Sequence, residues 1–421
     1  MSQARQLRVV QFLNGTTRSG AEEVALELAR GIDPNRFSSY LVCPQVLLEA
    51  FAEDRNQASV KCFSLRLDSP WQCQAARNFV AFLRSERIDI VHAHMVRAAL
   101  AAVPLARLAG VPLVLQTCHG REAWRTSWLK RRFWIDRRIA NWSDAIVAVS
   151  QSTAAYLAEV KHIQPNKIRV IRNGRPVVGF GRLTLLREQN LRNELGIFPN
   201  NFTIGVFGRL EAQKGHTYLL QALPAVRDKF PAAKVLFVGE GPLRNVLETE
   251  VRSKGLDPCV IFTGYRTDCK DLMALCDLIV LPSLFEGMPL VLIEAALLGK
   301  PVIATAVDGT KEVISDGITG VLVPPAQPAA LAKALVELLP DRRRLSALGS
   351  QARIYAQQSF SLDRQIRETE ALYLALMPNS IGTRGAHACN LRRSTFLGTG
   401  DGSIRSRMSG RELFYVGETS K

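Results

Sequence analysis

Glu286 and Glu294 stand eight residues apart in the segment LPSLFEGMPLVLIEAALLGKPVIATAVDGTKEVISDGITGVLV, residues 281–323. If every step between them were helical, the carboxylates would be separated by about 12 Å along the axis. Acid pairs that cleave a glycosidic bond sit roughly 5–9.5 Å apart. The spacing therefore suits two acids reading different parts of one long ligand better than an acid/base pair across one bond. The plain alternative is a solvated loop acid at Glu286 and a partly exposed helix acid at Glu294. Two cations form a second constellation, Arg209 and Lys214 in Gly208-Arg209-Leu210 followed by Lys214-Gly215. After a strand, an Arg fork and a Lys point charge can clamp a diphosphate and stabilise the charge of a leaving nucleotide. His119-Gly120 also follows a strand, where an imidazole could meet a sugar hydroxyl. His92-x-His94 has no third ligand nearby and is a poor metal site. No D-x-D occurs, so the carboxylate cradle for a divalent metal is missing; no metal and no cofactor are expected.

These residues need strands that end beside one another. Apolar runs at 7–13, 40–43, 88–92, 113–117, 145–149 and 168–172 read as strands, with helical stretches between most of them. Asn173-Gly174 is a turn signal, and the following residues lack periodicity until a short helix ending at Gly196. The alternation resumes at 203–207, 234–238, 260–263, 278–281, 301–304 and 320–323. Two successive doubly wound parallel sheets follow from this pattern, and ligands bind such sheets beyond the carboxyl ends of their strands. Expected boundaries are 1–174 and 201–360 for the two Rossmann-like domains and 175–200 for the linker. A closing helix is expected at 361–377 and a disordered basic tail at 378–421.

Composition narrows the class. A chain of 421 residues, 47% hydrophobic, can bury two cores. Eight cysteines show no C-x-x-C, and no signal peptide is evident, which fits reduced thiols in the cytoplasm. Residues 96–118 are broken by Arg97, Pro104, Arg107 and Pro112, so they read as helix, turn and strand rather than a membrane span. The net charge of +16 favours polyanionic partners. Segment 121–142, REAWRTSWLKRRFWIDRRIANW, interleaves basic and aromatic residues. It suits either the interface of an anionic membrane or a core-packed helix with a solvated basic face. No nucleic-acid fold motif accompanies it, so no nucleic-acid partner is expected.

The run from Pro282 to Pro324 carries Ser283, Glu286-Gly287, Glu294-Ala295, Gly299-Lys300-Pro301-Val302, Gly309, Glu312, Gly317 and Gly320 in register. It resembles the signature of the retaining, group 1 glycosyltransferases of GT-B fold. G-R-L with K-G is similar to that family's diphosphate-binding motif, and Gly239-Glu240-Gly241-Pro242 to its G-x-G-P turn near the nucleotide. As a dinucleotide fingerprint the latter fails, because Arg244 replaces the third glycine. The loop 14–23 resembles the family's glycine-rich loop, with its double glycine reduced to Ser19-Gly20.

The resemblance implies two Rossmann-like domains facing across a cleft, acceptor on the first and donor nucleotide on the second. It implies a nucleoside diphosphate sugar as donor and a hydroxyl acceptor, with a lipid-linked or cell-envelope glycan suiting the basic segment. The enzyme would be cytoplasmic, peripheral on the inner membrane face. Arg209, Lys214, Glu286 and His119 are the expected catalytic residues. Glu294, Gly208, Gly287, Met288, Gly20 and Gly241 are the expected substrate-binding ones. Rival readings are a non-catalytic nucleotide-sugar-binding scaffold and a GT-B sugar-nucleotide epimerase.

Overall fold

The computed structural model describes residues 5–52, 60–122, 133–181 and 183–377. The tail 378–421 and residues 123–132 of the basic aromatic segment lie outside them.

The first sheet is built from β1 (Leu7–Phe12), β2 (Phe37–Cys43), β3 (Lys61–Ser64), β4 (Ile90–His94), β5 (Leu113–Cys118), β6 (Ala145–Ala148) and β7 (Ile168–Val170). Its order is β3-β2-β1-β4-β5-β6-β7, parallel throughout. The second sheet contains β8 (Thr203–Phe207), β9 (Lys234–Val238), β10 (Val260–Gly264), β11 (Leu278–Leu281), β12 (Val302–Thr305) and β13 (Val321–Val323). Its order is β10-β9-β8-β11-β12-β13, again parallel. In both, strand order reverses beside the first strand, which opens a crevice at the carboxyl edge.

The central strands carry apolar residues on both faces, as a sheet covered by helices on both sides requires. Leu278 and Val280 of β11 join one cluster with Val235 and Phe237 of β9. Their neighbours Ile279 and Leu281 join the opposite cluster with Leu236 and Val238. The first sheet divides likewise, with Val10 and Phe12 on one face and Val9 on the other.

The sequence pattern places twelve of these strands within a few residues and omits β3. That strand, KCFS, is an edge strand of four largely exposed residues, too short and too polar to carry a periodic signal. Residues 96–118 form the helix Val96–Ala109 and strand β5, as their interruptions require. Among the described residues, no helix is long and apolar enough to cross a membrane.

The helix Leu362–Leu376 packs on the first sheet, where Ile366 and Tyr373 join Val9, Val24, Leu28 and Ile90. Its entry is fixed by backbone. Arg175 N–H donates to the Phe360 carbonyl (2.9 Å) and Leu362 N–H to the Arg175 carbonyl (2.9 Å). A Cβ on Gly174 would lie 2.3 Å from the Ser361 carbonyl oxygen, so only glycine permits this crossing.

Candidate active site between two carboxyl edges

Gly208 follows strand β8 directly, and its φ of +145° turns the chain out of the sheet and exposes Arg209. Arg209 is half-exposed and pairs with Glu211 at 2.7 Å. A short 3-10 turn, Ala212–Lys214, then brings the Lys214 stem over Gly208. Gly215 lets this turn lie against the end of β11, since a Cβ there would sit 2.0 Å from the Pro282 carbonyl oxygen. The two loops are also stitched by Leu284 N–H to the Gln213 carbonyl (2.8 Å) and by Gln213 Nε2 to the Phe285 carbonyl (3.0 Å).

That stitching places Lys214 Nζ 2.6 Å from Glu286 Oε1, which also accepts from Ser283 Oγ at 2.7 Å. Glu286 is buried, and its N–H donates to Asp308 Oδ2 at 3.2 Å. A cation, a carboxylate and a hydroxyl are thus held on rigid backbone at the ends of β8 and β11. Such a set can bind a polar ligand through several oriented groups.

Glu294 sits elsewhere on the same unit. Only Leu290–Leu297 is helical, with Pro289 as N-cap. Residues 286–289 precede the helix, so the axial rise assumed for an unbroken helix does not describe the Glu286–Glu294 step. Glu294 is bound by Arg175 Nη2 at 2.5 Å, and Arg175 Nη1 lies 3.8 Å from Glu23 Oε2. Burial pulls the Arg175 pKa down, but Glu294, Glu23 and Glu27 outweigh it, and the net direction is up. Arg175 is absent from the expected site because it falls in a linker stretch with no periodic signal.

The first sheet contributes the opposing wall. His119 and Gly120 follow β5 directly, and they abut Gly287: a Cβ on Gly287 would be 1.9 Å from the His119 carbonyl oxygen. Arg121 pairs with Asp308 at 2.7 Å, bridging the same two loops. Gly20 opens the helix Gly20–Gly31 and lies against Leu290, where a Cβ would approach Cδ1 to 3.3 Å. Glu22 is buried beside Ser19; burial raises its pKa, while Ser19 and, more weakly, Arg209 lower it.

Two expected positions make their close approach to protein. A Cβ on Gly241 would meet the Leu210 carbonyl oxygen at 2.5 Å, so this glycine lets the 239–242 turn pack on the Gly208–Leu210 backbone. Met288 is buried, with its carbonyl 3.5 Å from Asn173 Nδ2. Among the described residues, no group of three His, Cys, Asp or Glu gathers to hold a metal. His92 and His94, a pair without metal-site spacing in the sequence, are fully buried and hydrogen-bonded to protein.

Comparison with known proteins agrees with this geometry. Residues 201–341 match the family described as Glycosyl transferases group 1, and residues 18–177 match Glycosyltransferase Family 4. The chain is 25% identical over 372 residues to an Escherichia coli UDP-Gal:alpha-D-GlcNAc-diphosphoundecaprenol alpha-1,3-galactosyltransferase, covering 86% of this chain and 95% of that protein. It is 30% identical over 300 residues to a Mycobacterium tuberculosis glycogen synthase, covering 69% and 70%. Among solved structures, Anabaena Alr3699/HepE in complex with UDP-glucose superposes with a TM-score of 0.76 at 23% identity, covering 87% of this chain and all of that one. Sucrose-phosphate synthase from Thermosynechococcus elongatus gives 0.72 at 20% identity, covering 88% and 99%. With two parallel α/β sheets facing through the loops described above, the chain belongs to the group 1 glycosyltransferases and has the GT-B fold.

Proposed function

We propose that this glycosyltransferase moves a hexosyl residue from a nucleoside diphosphate sugar to a hydroxyl of a lipid-linked or cell-envelope glycan, with retention of configuration and without a metal. The observation that carries the reading is the Lys214–Glu286–Ser283 cluster, set where the ends of β8 and β11 meet the His119-Gly120 turn.

Lys214 and Arg209 hold the diphosphate, with Gly208 and Gly241 shaping the backbone beneath it. Positive charge there stabilises the nucleotide as the bond from C1 to the phosphate oxygen breaks. The acceptor oxygen bonds to C1 on the face the phosphate leaves, and its proton passes to a donor phosphate oxygen. Glu286, together with the Gly287 and Met288 amides, meets hydroxyls of the donor sugar; His119 meets the same sugar from the first domain. Glu294 accepts from the ribose hydroxyls, so Arg175 must share it. Gly20 lies on the acceptor side. The E. coli relative, by name a galactosyltransferase acting on a diphosphoundecaprenol-linked sugar, supports a lipid-linked acceptor.

Exposed Trp134 and Trp142 on the helix Phe133–Trp142 support a peripheral position on an anionic, cytoplasmic membrane face. The domain limits 1–174 and 201–360, with 175–200 between them and 361–377 returning, are the organisation we adopt.

Incubation with donor sugars and a lipid-diphosphate-linked acceptor, followed by mass and anomeric analysis, tests this. A sugar added with retained configuration, insensitive to chelator, is expected. An isomerised donor with no transfer, or inversion, would overturn it.

A further inference from the structure

A chain of buried polar groups runs from the return helix Leu362–Leu376 to the cleft. Strands β1, β4 and β5 are neighbours at the centre of the first sheet, with Gln11 opposite His92 and His94 opposite Thr117. Beneath their carboxyl ends, Tyr373 Oη lies 2.7 Å from His92 Nδ1 and 3.1 Å from Gln11 Nε2. Gln11 Oε1 lies 2.8 Å from His94 Nε2, and His94 Nδ1 lies 3.3 Å from His119 Nε2. At the far end, His92 Nε2 lies 2.6 Å from Thr117 Oγ1. Gln11, His92, His94, Thr117 and Tyr373 are all buried.

Each neutral imidazole has one N–H and one lone pair, so every link constrains the next. The Gln11 carbonyl oxygen only accepts, so His94 carries its proton on Nε2 and its Nδ1 is an acceptor. His119 must then donate from Nε2. In the other direction, the Gln11 amide donates to Tyr373 Oη, whose proton goes to His92 Nδ1, and His92 donates from Nε2 to Thr117. All donors point the same way along the chain, and reversing one link would force two protons or two lone pairs together. Burial depresses the pKa of His92 to about 3 and of His119 to about 4, with His94 also well below its usual value, so all three rings are neutral.

We propose that Tyr373, Gln11 and His94 are positioning residues that fix His119 as the Nε2–H tautomer, so that its Nδ1 accepts a hydrogen bond from a sugar hydroxyl. This deepens the reading of His119 given above and rests on it for the sugar contact, although the tautomer itself does not depend on any ligand. It also gives the returning helix a part in the site, because Tyr373 is the link without which the Gln11 amide can turn over and reverse the chain.

The test is long-range 1H–15N correlation at neutral pH on the full chain labelled at its six histidines, assigned by single substitution. His92, His94 and His119 should all be Nε2–H. Tyr373→Phe should move His119 into a mixture or into Nδ1–H. It should also lower kcat about tenfold, the worth of one hydrogen bond, with donor KM within about twofold. His94→Leu should match that loss, while His94→Asn, which keeps an acceptor oxygen near the Nδ1 position, should restore most of it. Should Tyr373→Phe fail to fold, Gln11→Met breaks the chain one link nearer His119 and carries the same expectation. Nδ1–H at His119 in the wild type, or an unmoved His119 signal in a folded Tyr373→Phe protein, would overturn the proposal. If no donor is transferred by the wild type, the functional reading falls while the spectra still decide the positioning one.

Discussion

Replacing Glu294 by Gln should do two separable things. Its side chain is about 14% exposed and that of its partner Arg175 about 10%, so the pair is close to fully desolvated. Removing one member of such a pair typically costs about 3–5 kcal/mol, because the survivor is left charged and unpaired. Glu23 remains 3.8 Å from Arg175, and Glu27 also acts on it, so the loss should fall lower, at about 2–3 kcal/mol. For a chain of two lobes this corresponds to a fall in Tm of roughly 5–10 °C. Arg175→Met should destabilise comparably by stranding Glu294, whereas the double variant should recover much of the loss. Urea unfolding of the four proteins reads the coupling directly. Independently, loss of a charged hydrogen bond to ribose should weaken donor binding by about tenfold to hundredfold, measured calorimetrically. A Glu294→Gln protein within about 0.5 kcal/mol of wild type, or a double variant whose loss is the sum of the singles, would refute the pairing argument. Unchanged donor affinity would refute the ribose contact.

Other outcomes follow from the same geometry. Arg209→Ala should lower turnover while stability stays within about 0.5 kcal/mol, since its partner Glu211 is on the surface; Lys214→Ala should lower both, because buried Glu286 loses its cation. Gly287→Ala adds a Cβ 1.9 Å from the His119 carbonyl oxygen, so the folded chain should open between its lobes, read as a larger radius in solution scattering and weaker donor binding; an unchanged radius and affinity would show that the contact is dispensable. His119 has a folded pKa of about 4, below the usual 6.5, so the unfolded chain binds the extra proton. Its contribution is complete above pH 6.5 and is lost as pH falls toward 4, amounting to about 2 kcal/mol at pH 5. The stability loss of the wild type between pH 7.5 and 5 should therefore exceed that of His119→Asn by about this amount; equal losses would mean that the ring is not held neutral.

Much of this was legible in the residues alone because parallel α/β sheets write themselves plainly. Their strands carry apolar residues on both faces, as in LIVL at 278–281; strand ends are marked by residues such as Gly208 and Pro282, and a helix end by Gly299. The polar edge strand β3 lacked that signature. The loop cluster was legible as well, since Lys214, Ser283 and Glu286 follow strands that the fold makes adjacent. What sequence could not supply were partners fixed by three-dimensional crossings. Arg175 reaches Glu294 only because Gly174 lets the chain pass Ser361, and Tyr373 meets Gln11 across 362 positions of sequence. Gly241 is read from sequence as part of a turn near the nucleotide, and its close packing on the Leu210 backbone shows the turn has a structural role as well.

The central claim is that an activated sugar is held between the two sheets by Lys214, Arg209 and Glu294. Titration calorimetry of the full chain against UDP-, GDP- and ADP-sugars, repeated with Lys214→Ala, tests it most directly. One nucleotide sugar should bind the wild type with a single site and bind the variant at least about tenfold more weakly. Binding of none of the three by the wild type, or equal binding by both proteins, would contradict the account.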